Sequence, residues 1–178
     1  MNPDNPIQIA PGLRIRLCTE EDFAQIWPFF RSIIQAEETY AFDPAMSEEQ
    51  ARHLWLQLPV KTYVVEQDGL AQHGSRILAS YYIKANAAGP GSHVCNCGYM
   101  VSSAAQGMGL ARQMCEHSQQ VARALGFQAM QFNSVVSSNK VAVQLWQKLG
   151  FEIVGTLPKA YRSASLGLVD AYVMYKWL

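Results

Sequence analysis

The chain has 178 residues, 49% hydrophobic and 16% charged, which is enough apolar material for a sizeable core and too little charge for a disordered polymer. Lys plus Arg equals Asp plus Glu at 14 each, so general electrostatic attraction to nucleic acid or an anionic membrane is excluded and any anionic ligand must be held locally. No apolar stretch reaches the roughly 18 residues of a membrane span, and MNPDNPIQIAPG lacks the basic and apolar regions of a signal peptide, so the default expectation is a cytoplasmic protein.

One domain is expected over 1–178, with 1–12 as an N-terminal extension. LRIRL (13–17) alternates and predicts a strand. Thr19, followed by acidic Glu20, Glu21 and Asp22, predicts a capped helix to about Glu38, in which Pro28 should cause a kink or break. Ser47 and Gln50 form a capping box for a second helix ending near Leu58. TYVVEQ (62–67), RILASYYIK (76–84) and VCNCGYMV (94–101) predict a three-stranded meander, with DGLAQHGS (68–75) and ANAAGPGSH (85–93) as its loops. A helix then runs to about Leu125 and closes at Gly126, followed by a strand over 128–136. Ser138 or Asn139 caps a last helix through Leu149, and strands follow over 151–156 and 168–178. The result is an α/β fold: a mixed, mostly antiparallel sheet with helices packed on it.

Cys18, Cys95, Cys97 and Cys115 are too sparse for a disulfide scaffold. Cys95 and Cys97 form C-x-C without further ligands at matching spacing, so two small buried side chains on one strand face are expected and no metal. His93 and His117 stand alone and read as surface or cap residues.

AAQGMGLARQMC (104–115) places two glycines at a helix start, although glycine is a poor helix former. A plain N-cap is one explanation. A dinucleotide fold is another, but GMGLAR lacks the third glycine, and no Asp or Glu occurs between Glu116 and Glu152 to hold a ribose. No G-K-[ST] follows, so a nucleotide triphosphate loop fails too. The third reading is a diphosphate cradle, in which bare N–H groups and the helix dipole meet an anion beside Gly107, Gly109 and Ala111.

QGMGLA (106–111) resembles the Q/R-x-x-G-x-G/A signature of the GNAT superfamily of N-acetyltransferases, and NKVAVQLWQKLGFEIVGT (139–156) resembles that family's downstream segment. The resemblance implies acetyl-CoA as co-substrate and a sheet split between a central parallel pair, here 94–101 and 128–136. It implies coenzyme contacts from Gln106, Gly107, Met108, Gly109, Leu110 and Ala111 through main-chain nitrogens, with Arg112 or Lys140 near the phosphates. Val101 matches the position whose N–H meets the thioester carbonyl. GPGSHVCNCGY (89–99) and FNSVVSSN (132–139) resemble the narrower group of proline-analogue N-acetyltransferases, which act on azetidine-2-carboxylate and related imino acids. That likeness implies an acceptor site at Asn96 and Asn133, and Asn139 near the thioester end.

Asn96 and Asn133 sit mid-strand, where Asn is disfavoured, which independently singles them out. Tyr99, Glu38 and Tyr40 complete the expected acceptor pocket, and Glu37 or Glu38 is a candidate base acting through water, beside the alternative of a solvated helix end. Trp146 stands where many family members carry the tyrosine acid, and an indole N–H is not a useful proton source; Tyr99, Tyr161 and Tyr172 are substitutes, each also explained by core packing. The expected activity is acetyl transfer to a small amine or imino acid, with a homodimer open from the family's habit. Against it stand a non-catalytic acyl-CoA sensor, a protein or peptide N-acetyltransferase and an unrelated nucleotide-binding domain.

Overall fold

The computed structural model describes residues 4–69 and 74–178, so parts of the expected extension and of the 68–75 loop lie outside the described residues. Eight strands form one sheet in the order β1-β2-β3-β4-β5-β6-β8-β7. They are β1 (Ile7–Ala10), β2 (Leu13–Leu17), β3 (Lys61–Gln67), β4 (Arg76–Ala85), β5 (Val94–Val101), β6 (Ala129–Val136), β7 (Glu152–Ser163) and β8 (Gly167–Trp177). Helices α1 (Phe23–Gln35) and α2 (Glu48–Arg52) cover one face, and α3 (Leu110–Ala124) and α4 (Lys140–Lys148) cover the other. None of the described helices is long and apolar enough to cross a membrane.

The expected element order holds, with three corrections. Ile7–Ala10, read as part of an extension, is an edge strand paired antiparallel with β2. Thr19 does not cap α1. The helix starts at Phe23 behind Asp22, whose carboxylate accepts from the Thr19 N–H (2.8 Å) and is gripped by both terminal nitrogens of Arg16 (2.6 and 2.9 Å). The hairpin of β7 and β8 is longer than alternation suggested, because β7 continues through Pro158 and a left-handed Lys159. An edge strand tolerates that interruption, since nothing pairs with its outer side.

Pro28 lies inside α1 without ending it. It sits on the exposed face beside exposed Ala24, where the carbonyl it leaves unbonded meets water. The opposite stripe of α1, Phe23, Ile26, Phe30 and Ile34, is buried with Trp55 against Val64, Tyr82 and Met100 of the sheet. Each such aromatic or aliphatic side chain contributes roughly 1.5–3 kcal/mol of burial. The Ser47–Gln50 capping box forms as expected, but the helix loosens into a π turn over His53–Gln57. That turn is pinned where the Trp55 indole donates to Ser80 Oγ (2.9 Å) and the Thr62 hydroxyl donates to the Trp55 carbonyl (2.6 Å).

β5 and β6 are the parallel pair, joined by α3 as a parallel crossover requires. They pair only at Val94 with Ala129 and Cys95 with Met130. Beyond that, β5 stays with β4 to Val101, while β6 follows β8 through a bulge between Phe132 and Val135. The extra residue bends β6 away. The sheet is therefore forked, with its closed end at Cys95 and its open end at Val101.

Candidate active site

The open end of the fork leads into the glycine segment. After Val101 the chain makes a short 3-10 turn (Ser103–Ala105) and enters α3 at Leu110. Gly107 (φ +81°) and Gly109 (φ +73°) are both left-handed, and a Cβ on either would meet nothing within 4 Å. Backbone conformation, not crowding, therefore calls for glycine, since an L side chain there costs about 1–2 kcal/mol. Gly109 is the N-cap and has no side chain with which to accept a hydrogen bond. The amides of Leu110, Ala111 and Arg112 have no intrahelical acceptor, and Gln113 is the first to bond back, to the Gly109 carbonyl at 3.2 Å. Two expected donors differ. The Gln106 and Met108 N–H groups turn inward, to the Ser103 and Ala105 carbonyls at 3.4 Å each. The cradle thus consists of Gly107, Gly109, Leu110, Ala111 and Arg112, and it suits a diphosphate that needs main-chain donors. Arg112 lies on the exposed face, its Nε 2.9 Å from Glu116 Oε1, a surface pair weak enough to yield to a phosphate.

A cavity of about 510 Å³ passes through the fork. In the β4–β5 ladder the Ser102 N–H donates to Leu78 (2.8 Å), so strand alternation turns the Val101 and Tyr99 main-chain groups the other way, into the gap left by β6. The Tyr40 hydroxyl enters the same gap and donates to the Tyr99 carbonyl at 2.8 Å. On the α3/α4 side the cavity is walled by Phe132, Leu145 and Trp146, and the Trp146 indole stands 5.2 Å from each of the Phe132 and Tyr99 rings. Asn139 caps α4, its Oδ1 accepting from the Ala142 N–H at 3.1 Å, and it also borders the cavity.

The α1/α2 side carries the two singled-out asparagines. Asn96 lies just past the last β5–β6 pair. Its Nδ2 donates to the Gln131 carbonyl (2.9 Å), and its Oδ1 accepts from the Tyr82 hydroxyl (3.0 Å), so its amide pins the fork. Asn133 is exposed in the bulge, donating to Asn86 Oδ1 (2.7 Å) and accepting from Gln131 Nε2 (2.8 Å).

Other expected residues fall elsewhere. The Tyr99 ring points to the α3/α4 face, opposite Asn96, and its hydroxyl shares a 2.8 Å bond with Ser118, so it is no partner of the asparagines. Glu38 does not line the cavity. It accepts from the Ser163 hydroxyl (2.6 Å) and the Ser165 N–H (2.9 Å), which hold its carboxyl below the usual range. With Ala164 N–H on the Glu37 carbonyl (3.1 Å) and the Tyr161 hydroxyl on the Tyr40 carbonyl (3.2 Å), Glu38 clasps the loop after α1 to the β7–β8 hairpin. Tyr161 is thus committed, and neither it nor Tyr172 lines the cavity. His117, read as a surface or cap residue, is buried beneath the sheet 2.6 Å from the Tyr81 hydroxyl, and burial lowers its pKa to about 4.

Lys84, which sequence reading passed over as a strand end, lines the cavity in register with Asn96, its Nζ 5.4 Å from the Tyr82 ring centroid. Period-two alternation of Ser80, Tyr82 and Lys84 onto one face was the available signal. Among the described residues the cavity wall contains no Asp, Glu or His. Burial raises the Tyr40, Tyr82 and Tyr99 phenols and the Cys97 thiol, so each stays neutral near pH 7. No described group of three or more His, Cys, Asp or Glu side chains could hold a metal ion.

Comparison with known proteins places this geometry. Residues 27–151 match the model of the Acetyltransferase (GNAT) family, a span that holds the fork, the cradle and the Asn139 helix. The chain is 28% identical over 165 residues to the N-acetyltransferase aca1 of Schizosaccharomyces pombe, covering 86% of this chain and 79% of that protein. A GCN5-related N-acetyltransferase from Kribbella flavida superposes with a TM-score of 0.87 at 41% identity, over 95% of this chain and 100% of that one. At 19% identity the fold alone is shared with yncA of Salmonella typhimurium, solved with its cofactor acetyl-CoA (TM-score 0.77, 93% of this chain and 94% of that one). With the family model spanning most of its length and the forked sheet and bare helix entrance in place, the chain belongs to the GNAT family of acetyltransferases and is an N-acetyltransferase, an enzyme class that uses acetyl-CoA.

Proposed function

We propose that this enzyme acetylates the nitrogen of a small amine or imino acid, proline analogues such as azetidine-2-carboxylate included, by direct attack on the thioester. The observation that carries this reading is the clasp. Four hydrogen bonds tie the loop bearing Tyr40 and Phe42 to the β7–β8 hairpin, which gives the acceptor end of the cavity a fixed wall and favours a small acceptor over a peptide. The whole cavity, coenzyme side included, is about 510 Å³, within the range of small-molecule sites.

Acetyl-CoA supplies an activated acetyl group when bound. The amides of Gly107, Gly109, Leu110, Ala111 and Arg112 would hold its diphosphate. The Val101 N–H, directed into the fork, is the donor for a carbonyl oxygen there, a contribution typically worth about 3–4 kcal/mol when preorganised. Asn133 orients the acceptor from the exposed side. Asn96 keeps the fork open at a fixed width and presents its remaining lone pair and N–H. Asn139 uses its oxygen on the helix cap and retains Nδ2 for the sulfur end. A thiol of pKa near 8.5 is a fair leaving group without an acid, which suits a site with Trp146 at the tyrosine position.

The test combines binding and turnover. At about a hundred times its dissociation constant a ligand adds roughly 2.7 kcal/mol of stability, so acetyl-CoA should raise the melting temperature clearly while NAD and ATP do not. Thiol release with a panel of amino acids, imino acids and polyamines should then show turnover confined to small acceptors. Asn133→Ala should keep acetyl-CoA affinity and lose acceptor turnover. Stabilisation by acetyl-CoA with no turnover on any amine would favour the sensor.

A further inference from the structure

We infer that Lys84 selects the acceptor, its ammonium holding the carboxylate of an amino or imino acid whose nitrogen faces the fork; this rests on the acetyltransferase reading above. Lys84 is the one charged side chain of the cavity wall among the described residues, and no described carboxylate lies within ion-pair distance of it. Lys84 is half-buried, and a carboxylate reaching its ammonium in the cavity would form a charge-assisted hydrogen bond. Its Nζ lies 5.4 Å from the centroid of the Tyr82 ring, whose hydroxyl donates to Asn96, the register partner of Lys84, so the ammonium stands on the face of the sheet that carries the asparagines.

The coenzyme's phosphates are not the anion. Lys84 pairs with Asn96, and the five residue steps from Asn96 to Val101 span about 16 Å at strand rise. The cradle lies beyond Val101. Lys84 pairs in register with Asn96, which bonds Gln131 and Tyr82, and nearby in the chain Asn86 accepts from Asn133; each of the three amides keeps an N–H for a second carboxylate oxygen. A cationic acceptor such as a diamine meets the opposite of what it needs, a like charge and no acid.

The experiment measures thiol release at saturating acetyl-CoA with paired acceptors that differ only in the carboxylate: azetidine-2-carboxylate against azetidine, and proline against pyrrolidine, with putrescine alongside. The wild type should favour the carboxylate member of a pair by at least about tenfold in kcat/KM. In Lys84→Met that ratio should collapse, mainly through KM, while Lys84→Arg should retain it. Acetyl-CoA affinity, measured by calorimetry in each variant, confirms that the fold and cradle persist. A wild type that acetylates azetidine or putrescine as well as azetidine-2-carboxylate, or a Lys84→Met variant that keeps the preference, overturns the inference and leaves the acetyltransferase reading standing. A protein that binds acetyl-CoA but acetylates no member of the panel overturns the small-acceptor reading itself, and the role of Lys84 with it.

Discussion

The Tyr40 phenol donates a 2.8 Å hydrogen bond to the Tyr99 main-chain carbonyl, joining the loop after α1 to the open side of the forked sheet. The bond matters because β6, which would have satisfied that carbonyl in an unbroken sheet, has moved away. Burial holds the phenol well above its usual pKa, so it remains a donor throughout the working range. Tyr40→Phe removes the donor and leaves the carbonyl unpaired beside the cavity, at a cost of about 1–3 kcal/mol. The expected outcome is a lowered melting temperature and a raised KM for the acceptor, with acetyl-CoA affinity near that of the wild type. Calorimetry and initial-rate kinetics separate these effects.

Gly98 shows how tightly the same wall is drawn. A Cβ there would sit 2.6 Å from a Tyr82 ring carbon and 3.2 Å from the Tyr40 hydroxyl. Gly98→Ala must displace the Tyr82 ring, which is edge-on to Trp55 and bonded to Asn96. Overpacking of this kind costs roughly 1–3 kcal/mol. Thermal melting should register that loss, and acceptor turnover should fall while acetyl-CoA still binds.

The cradle is tested by Gly109→Glu. A left-handed glutamate costs about 1–2 kcal/mol of backbone strain, and its carboxylate competes for the helix entrance that would hold the diphosphate. Its exposed position leaves room for the side chain, so the protein should fold with a modest drop in melting temperature. Acetyl-CoA should no longer stabilise it. A retained thermal shift would mean that the diphosphate is held elsewhere.

The absence of Asp, Glu and His from the described cavity wall makes a prediction about pH. Burial keeps the wall's phenols and the Cys97 thiol protonated, so none of them is a base near neutrality and the acceptor has to arrive as the free amine. Log kcat/KM should rise with a slope near one per pH unit from about pH 6 toward the acceptor's own amine pKa. A plateau beginning near pH 7 with an acceptor of high pKa would reveal a base in the protein.

Acid stability follows from His117 and Glu66. Burial lowers the folded-state pKa of His117 to about 4, below its ordinary 6.5. Above pH 6.5 the ring is neutral whether the chain is folded or not, and the stability is complete. As pH falls from 6.5 to about 4 the unfolded chain takes up a proton that the folded chain refuses, which removes up to about 3 kcal/mol. Glu66, held at about 2 chiefly by its hydrogen bonds to Arg16, adds a second loss of the same sign between pH 4.5 and 2. Urea unfolding across pH should show both steps, and His117→Gln should flatten the first alone.

Much of this was legible in the sequence because it is local. The alternation of LRIRL and VCNCGYMV, the Ser47–Gln50 box and the Asn139 cap each depend on neighbours a few residues away, and each forms as written. The two glycines stood out at a helix start for the same reason, and both are left-handed, because φ is set by the residue that bears it. Other features depended on partners distant in the chain. Ile7–Ala10 is a strand because β2 offers it an edge, and His117 is buried because Tyr63 and Tyr81, more than thirty residues away, close over it. Glu38 looked like a base until Ser163 and Ser165 claimed its carboxylate, and Lys84 looked like a solvated strand end until the fork made it part of a wall. Local chain chemistry alone determined most of the elements, the glycine-bearing helix entrance and the family resemblance. The cavity's shape and charge were decided only when the sheet forked, because a contact between residues far apart in sequence is fixed by topology and packing rather than by the preferences of either residue.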